Sequence, residues 1–149
     1  MAWEILTTAE YPAIRAALDT QLTEANLPND TLDLPIYVDA AVHDVRQAYE
    51  AAGSADDPAD EADADNQAKI SRAAIYFCAA RLAPAVVRIT SVQIATRDGS
   101  YSRQTFDPEK RAAELQALAA AELAPILEPS ETTPNRPVMF ALARGYRGR

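Results

Sequence analysis

Residues 73–80 read Ala-Ala-Ile-Tyr-Phe-Cys-Ala-Ala, and this run constrains the fold more than any other stretch of the chain. Eight consecutive apolar residues pass more than twice round a 3.6-residue helical repeat, so no side is left for water. A helix of this kind is stable only when other elements surround it, and its many alanines let them approach closely. The run is also far short of the roughly 20 apolar residues that span a bilayer. It therefore predicts a buried central helix from about Asn66 to Ala83, closed by Pro84, inside a bundle.

The elements needed to surround it are legible on both sides. Thr7 and Glu10 have the spacing of a capping box, and Tyr11, Ile14, Leu18 and Leu22 follow on one helical face. A first helix is expected from about Thr8 to Leu22, with Pro12 tolerated in its first turn. Leu27 to Asp30 reads as a loop. A second helix should run from near Pro35 to a C-cap at Gly53, burying Val38, Ala41, Val42, Val45, Tyr49 and Ala52. After the central helix, Val86 to Thr96 is rich in β-branched residues and Asp98-Gly99 is a tight-turn signal. These predict a β-hairpin, Val86–Arg97 with Ser100–Phe106, whose tip carries Arg97, Asp98, Gly99 and Tyr101. Asp107 and Pro108 then start a fourth helix as N-cap and N1. Its apolar face would be Leu115, Leu118, Ala119, Leu123 and Ile126, with Pro125 bending or ending it. The expected fold is thus mainly α, a four-helix bundle with a β-hairpin between the third and fourth helices.

Two segments fall outside this core. Residues 54–66 hold six acids, Asp56, Asp57, Asp60, Glu61, Asp63 and Asp65, and read as a solvated linker whose partial deletion should barely affect stability. Alternating aspartates superficially suggest a calcium loop, but the turn glycine and closing glutamate of such loops are missing. The second segment, residues 128–149, reads as a flexible basic arm following a domain that spans 1–127. Within it Arg136, Val138, Met139, Phe140, Leu142, Arg144 and Tyr146 have the composition of a docking arm. Such an arm can add a strand to a sheet edge or lay Phe140 into a groove of a neighbour.

Composition narrows the function. Hydrophobic residues make up 48% of 149, which places the chain among folding rather than disordered sequences. Residues 1–66 carry 15 acids against two arginines, a balance of −13; residues 67–149 carry 12 bases against seven acids, +5, for a total of −8. Unlike halves suit head-to-tail contacts of the kind that close into rings, although the halves can equally intermix in space. The acidic total repels nucleic acid, leaving only the arginine-rich end to touch a phosphate backbone. The N-terminus has no signal-peptide pattern, and one cysteine permits no intrachain disulfide.

No catalytic constellation emerges. His43, the only histidine, stands beside Asp44 with no nucleophile tied to it. Cys78 lies in the most apolar run and should be an inert thiol. One histidine and one cysteine cannot build a structural zinc site, and none of the four glycines has a phosphate-binding spacing. The expectation is a protein that is not an enzyme and needs no cofactor.

The order of elements and three stretches carry a resemblance: LPIYVDAAVHDV, RAAIYFCAARLAPAV, and GSYSRQ leading into DPEKRAAELQALAAAEL. Over roughly Ile5 to Leu127 the chain resembles the head–tail connector (adaptor, or head-completion) proteins of tailed bacteriophages and related prophage-derived particles. The acidic segment and the arginine-rich end lie outside the match. The resemblance implies a ring, typically dodecameric, assembled in the host cytoplasm beneath the portal protein at the capsid vertex. Such a ring extends the DNA channel, touches genomic DNA only in passage, and receives the next head-completion (stopper) protein or the tail. It implies no catalytic residues and no membrane contact. On this reading the arm would reach the portal or the adjacent subunit. The alternative is a stand-alone bacterial helical binding or regulatory module that docks one protein partner through the same arm.

Overall fold

The computed structural model describes residues 3–18, 22–95 and 107–128, with side chains throughout except at 87–95. It is mainly helical, and the described residues contain no strand. Helix α1 spans Tyr11–Leu18, the single-turn α2 Asn29–Leu32, α3 Val38–Ala51, α4 Ala64–Ala95 and α5 Pro108–Leu127. Helix α4 is the hub, packing against α1, α3 and α5. Arg72 near the start of α4 pairs with Glu122 near the end of α5 at 3.0 Å, so these two helices run antiparallel.

Local sequence explains where most helices begin and end. The capping box forms: the Thr7 N–H donates to Glu10 Oε2 at 2.7 Å, and Ala9 N–H donates to Thr7 Oγ1 at 3.2 Å. It opens a 3-10 turn, Thr8–Glu10, that runs directly into α1. Gly53, at φ +77°, closes α3 in the left-handed conformation that side chains disfavour. Its N–H donates to Glu50 O at 3.0 Å while Ser54 N–H reaches Tyr49 O at 3.0 Å, which satisfies two of the free carbonyls at the helix end. Asp107 caps α5 as expected, accepting from Glu109 N–H and Lys110 N–H at 3.0 and 3.1 Å.

The core has two adjoining halves. One gathers Tyr11, Ile14 and Leu18 of α1 with Leu27, Leu32, Ala41, the α4 residues Ile75, Cys78, Ala79, Leu82, Ala83 and Val86, and Leu115 of α5. The other joins Ile5, Val45, Tyr49 and Ala59 to Ile70, Ala73 and Ala74 of α4 and to Ala119 and Leu123 of α5. Buried residues cover most of the circumference of α4 between 73 and 83, leaving only the side of Phe77 and Arg81 partly open.

Three expectations need correction. Residues 86–95 are helical, not the first strand of a hairpin; the turn and second strand fall outside the described residues. Pro84 sits inside α4 and does not end it. β-Branched residues favour strands only weakly, and Leu82, Ala83 and Val86, all buried in the first half-core, hold this segment as helix. Pro125 lies within the last turn of α5, which ends two residues later at Leu127. Phe77, which the all-round apolar run would bury, is only half-buried and packs against both half-cores. Smaller adjustments concern Leu118, which is 45% exposed, and Ala52, which is exposed.

Candidate interaction surfaces

The acidic segment folds instead of standing free in solvent. Asp57 accepts from Ala59 N–H at 2.9 Å and starts a 3-10 turn, Pro58–Asp60, in which Pro58 and Ala59 are buried. The Ala59 carbonyl accepts the Trp3 N–H at 3.0 Å, pinning the N-terminal strip beneath the turn. Asp63 Oδ1 accepts from Asp65 N–H and Asn66 N–H at 2.8 and 3.2 Å, which caps α4. Glu61 takes Asp63 N–H at 2.9 Å and the Asn66 side-chain amide at 3.3 Å. The expected linker is therefore a helix-starting device. Its short polar side chains compete for backbone N–H groups, and small Pro58 and Ala59 fill a gap that no large residue is needed to fill.

The carboxylates of this segment do not converge. Among the described residues no group of three or more His, Cys, Asp or Glu side chains is arranged to hold a metal ion. Asp57 has its pKa lowered, first by the Ala59 N–H and then by the Arg46 guanidinium 3.4 Å away. Asp56, Asp60, Asp63 and Asp65 are exposed and Glu61 is half-buried. Below them the Tyr49 hydroxyl is buried and without a hydrogen-bond partner among the described residues, and burial followed by the charges of Glu61 and Asp56 raises its pKa.

His43 is exposed on α3, as a surface residue should be. Cys78 is fully buried, and desolvation pushes its thiol up to about 12, so it stays protonated near neutrality. The hairpin-tip residues Arg97, Asp98, Gly99 and Tyr101 lie outside the described residues, as do the arm residues Arg136, Val138, Met139, Phe140, Leu142, Arg144 and Tyr146.

Two surfaces escaped sequence reading. The first is an open cleft of about 370 Å³ where α3, α4 and α5 meet, with Phe77 and Ala80 flanked by Gln47 and Gln116. On its wall Arg81 makes a two-pronged ion pair with Asp44 at 2.8 and 2.7 Å, so the two charges cancel locally. The second is the corner between α2 and α3. Leu34 N–H reaches Thr31 O at 3.3 Å and Tyr37 N–H reaches Leu34 O at 2.9 Å, forming successive turns that hold Leu34 and Ile36 outward at 46% and 61% exposure. Pro35 between them is exposed as well.

The corner is tied from behind by hydrogen bonds. Tyr11 Oη donates to Asp33 Oδ1, and burial followed by this bond pushes the Tyr11 phenol up to about 12. Arg15, 5% exposed, donates from Nε to Leu27 O at 2.8 Å and from Nη2 to Asn29 Oδ1. Arg111 of α5 donates to the Ala17 carbonyl at 2.8 Å, satisfying a free carbonyl in the last turn of α1. A fixed backbone beneath exposed apolar groups lowers the ordering cost of a contact. Sequence periodicity gave no warning, because the second helix was expected to start near Pro35 and so to absorb Ile36. Comparison of the chain with protein-family models, with curated proteins and with solved structures found no match.

Proposed function

We propose that the chain is a structural head–tail connector subunit of a tailed phage or phage-like particle, working in a ring that joins the portal to the proteins below it. The observation that carries this reading is the exposed Leu34-Pro35-Ile36 corner. It belongs to LPIYVDAAVHDV, one of the stretches on which the resemblance rests, and contiguous exposed apolar groups mark contact surfaces. The other stretches supply the body of a rigid module: RAAIYFCAARLAPAV is the buried part of α4, and DPEKRAAELQALAAAEL is the cap and most of α5. A net charge of −8 suits a subunit beside a DNA passage, because like charge keeps the duplex from adhering.

The test is reconstitution. Heads that carry a portal but lack this chain are mixed with the purified protein and imaged by electron microscopy. A ring of density below the portal is expected, and Ile36→Asp should prevent it while leaving the circular dichroism unchanged. Heads that remain bare at saturating protein would overturn the connector reading.

A further inference from the structure

The corner between α2 and α3 has an electrostatic frame as well as an apolar centre. Asp30 and Asp33 precede Leu34, Pro35 and Ile36 in the chain and Asp39 follows them, and all three are exposed. Among the described residues none of the three is in an ion pair; Asp33 accepts only the neutral Tyr11 hydroxyl. The surface is thus acid, apolar, acid along the chain. The reverse pattern, arginines bracketing an apolar run, occurs at Arg72–Arg81 and Arg81–Arg88, where most of the apolar residues are buried inside α4, and again at Arg136-Pro-Val-Met-Phe-Ala-Leu-Ala-Arg144. Opposite charges around matching apolar centres guide encounter and fix register.

We infer that the segment Arg136–Arg144 of one copy docks on the Leu34–Ile36 corner of a second copy. The route out of the bundle selects a neighbour over the same chain. Ile126 and Leu127, which precede the segment, pack on the second half-core, whereas Leu32, Tyr37 and Val38 beside the corner belong to the first. From Ile70 to Val86 helix α4 separates these ends by about 24 Å at ~1.5 Å per residue. Folding back over that length would immobilise the intervening backbone at an entropic cost, while a second copy stacked head to tail would place its corner beside Leu127, where the chain leaves the bundle. The contact is heterologous, the class that propagates into a ring when its rotation closes. It needs two copies of this chain and no portal, so it stands or falls separately from the connector reading.

Charge exchange in the full-length protein tests it. One variant carries Asp30→Arg and Asp39→Arg; the other carries Arg136→Glu and Arg144→Glu. Each alone should self-associate at least about tenfold more weakly than the parent in sedimentation experiments at low salt. Mixed together, they should recover association, because each corner then meets an opposite charge on the other variant. In parallel, Ile36→Cys and Phe140→Cys chains are mixed and oxidised, the buried Cys78 leaving the new thiols to react. A disulfide-linked pair of unlike chains is expected. The inference is overturned if the mixed charge variants remain as weak as either alone. It is equally overturned if the parent stays monomeric at every concentration, if only a single chain carrying both cysteines closes on itself, or if the segment is captured by portal alone.

Discussion

Leu115 and Leu118 stand three residues apart on α5, and periodicity places both on the apolar face of that helix. The structure separates them: Leu115 is 0% exposed against α4, and Leu118 is 45% exposed. Leu115→Ala removes three buried carbons, which forfeits about 2.4 kcal/mol of transfer free energy at ~0.8 kcal/mol each. The cavity left between two paired helices cannot collapse freely, which raises the expected loss to about 3–4 kcal/mol. Leu118→Ala leaves no cavity and should cost below about 1 kcal/mol. Urea denaturation followed by circular dichroism measures both, with parallel slopes required for the comparison. In a thermal melt the first variant should fall by about 10 °C and the second by less than about 3 °C. Equal losses at the two positions would refute the packing of α5 on α4 described here.

The acidic segment should respond residue by residue: Asp63→Ala, which uncaps α4, should cost about 1 kcal/mol in urea melts, whereas the exposed Asp60→Asn should stay within about 0.5 kcal/mol. Gly53→Ala meets no atom within 4 Å, so its loss of about 1 kcal/mol would report the left-handed backbone alone, and Gly53→Asn should recover part of it in the same melts. Cys78 should fail to react with a thiol reagent at pH 8 in the folded protein and react fully in 8 M urea (roughly, a denaturing concentration). Asp57 titrates lower in the folded chain than in the unfolded one, so its contribution is present above its ordinary carboxylate pKa and is lost as pH falls through the lowered value. Asp57→Asn should therefore flatten the acid limb of a stability–pH profile measured by urea midpoints between neutrality and pH ~3.

What local chemistry decides was readable before any coordinates. The capping box at Thr7 and Glu10, the Asp107-Pro108 start of α5 and the glycine closing α3 depend on a few adjacent residues, and each forms as its spacing requires. The apolar run at 73–80 demanded neighbours round α4, and it has them except along the side of Phe77, which is half-buried beside the open cleft. The inert character of Cys78 followed from that same burial. Tertiary packing decided the rest. Whether residues 86–95 become strand or helix is a contest of small propensities, and the burial of Leu82, Ala83 and Val86 settles it for helix despite Pro84. Phe77 and Leu118 fit apolar stripes, yet a stripe wider than the facing helix leaves its margins in water. The acid-rich turn at 57–63 looks solvated by composition, because nothing local reveals that Trp3 will bond to Ala59 across more than 50 residues of chain. The Leu34–Ile36 corner is the same kind of fact. Sequence supplies two large apolar residues beside a proline, and only the ties from Tyr11 and Arg15 behind them determine that these side chains face outward and not into the core.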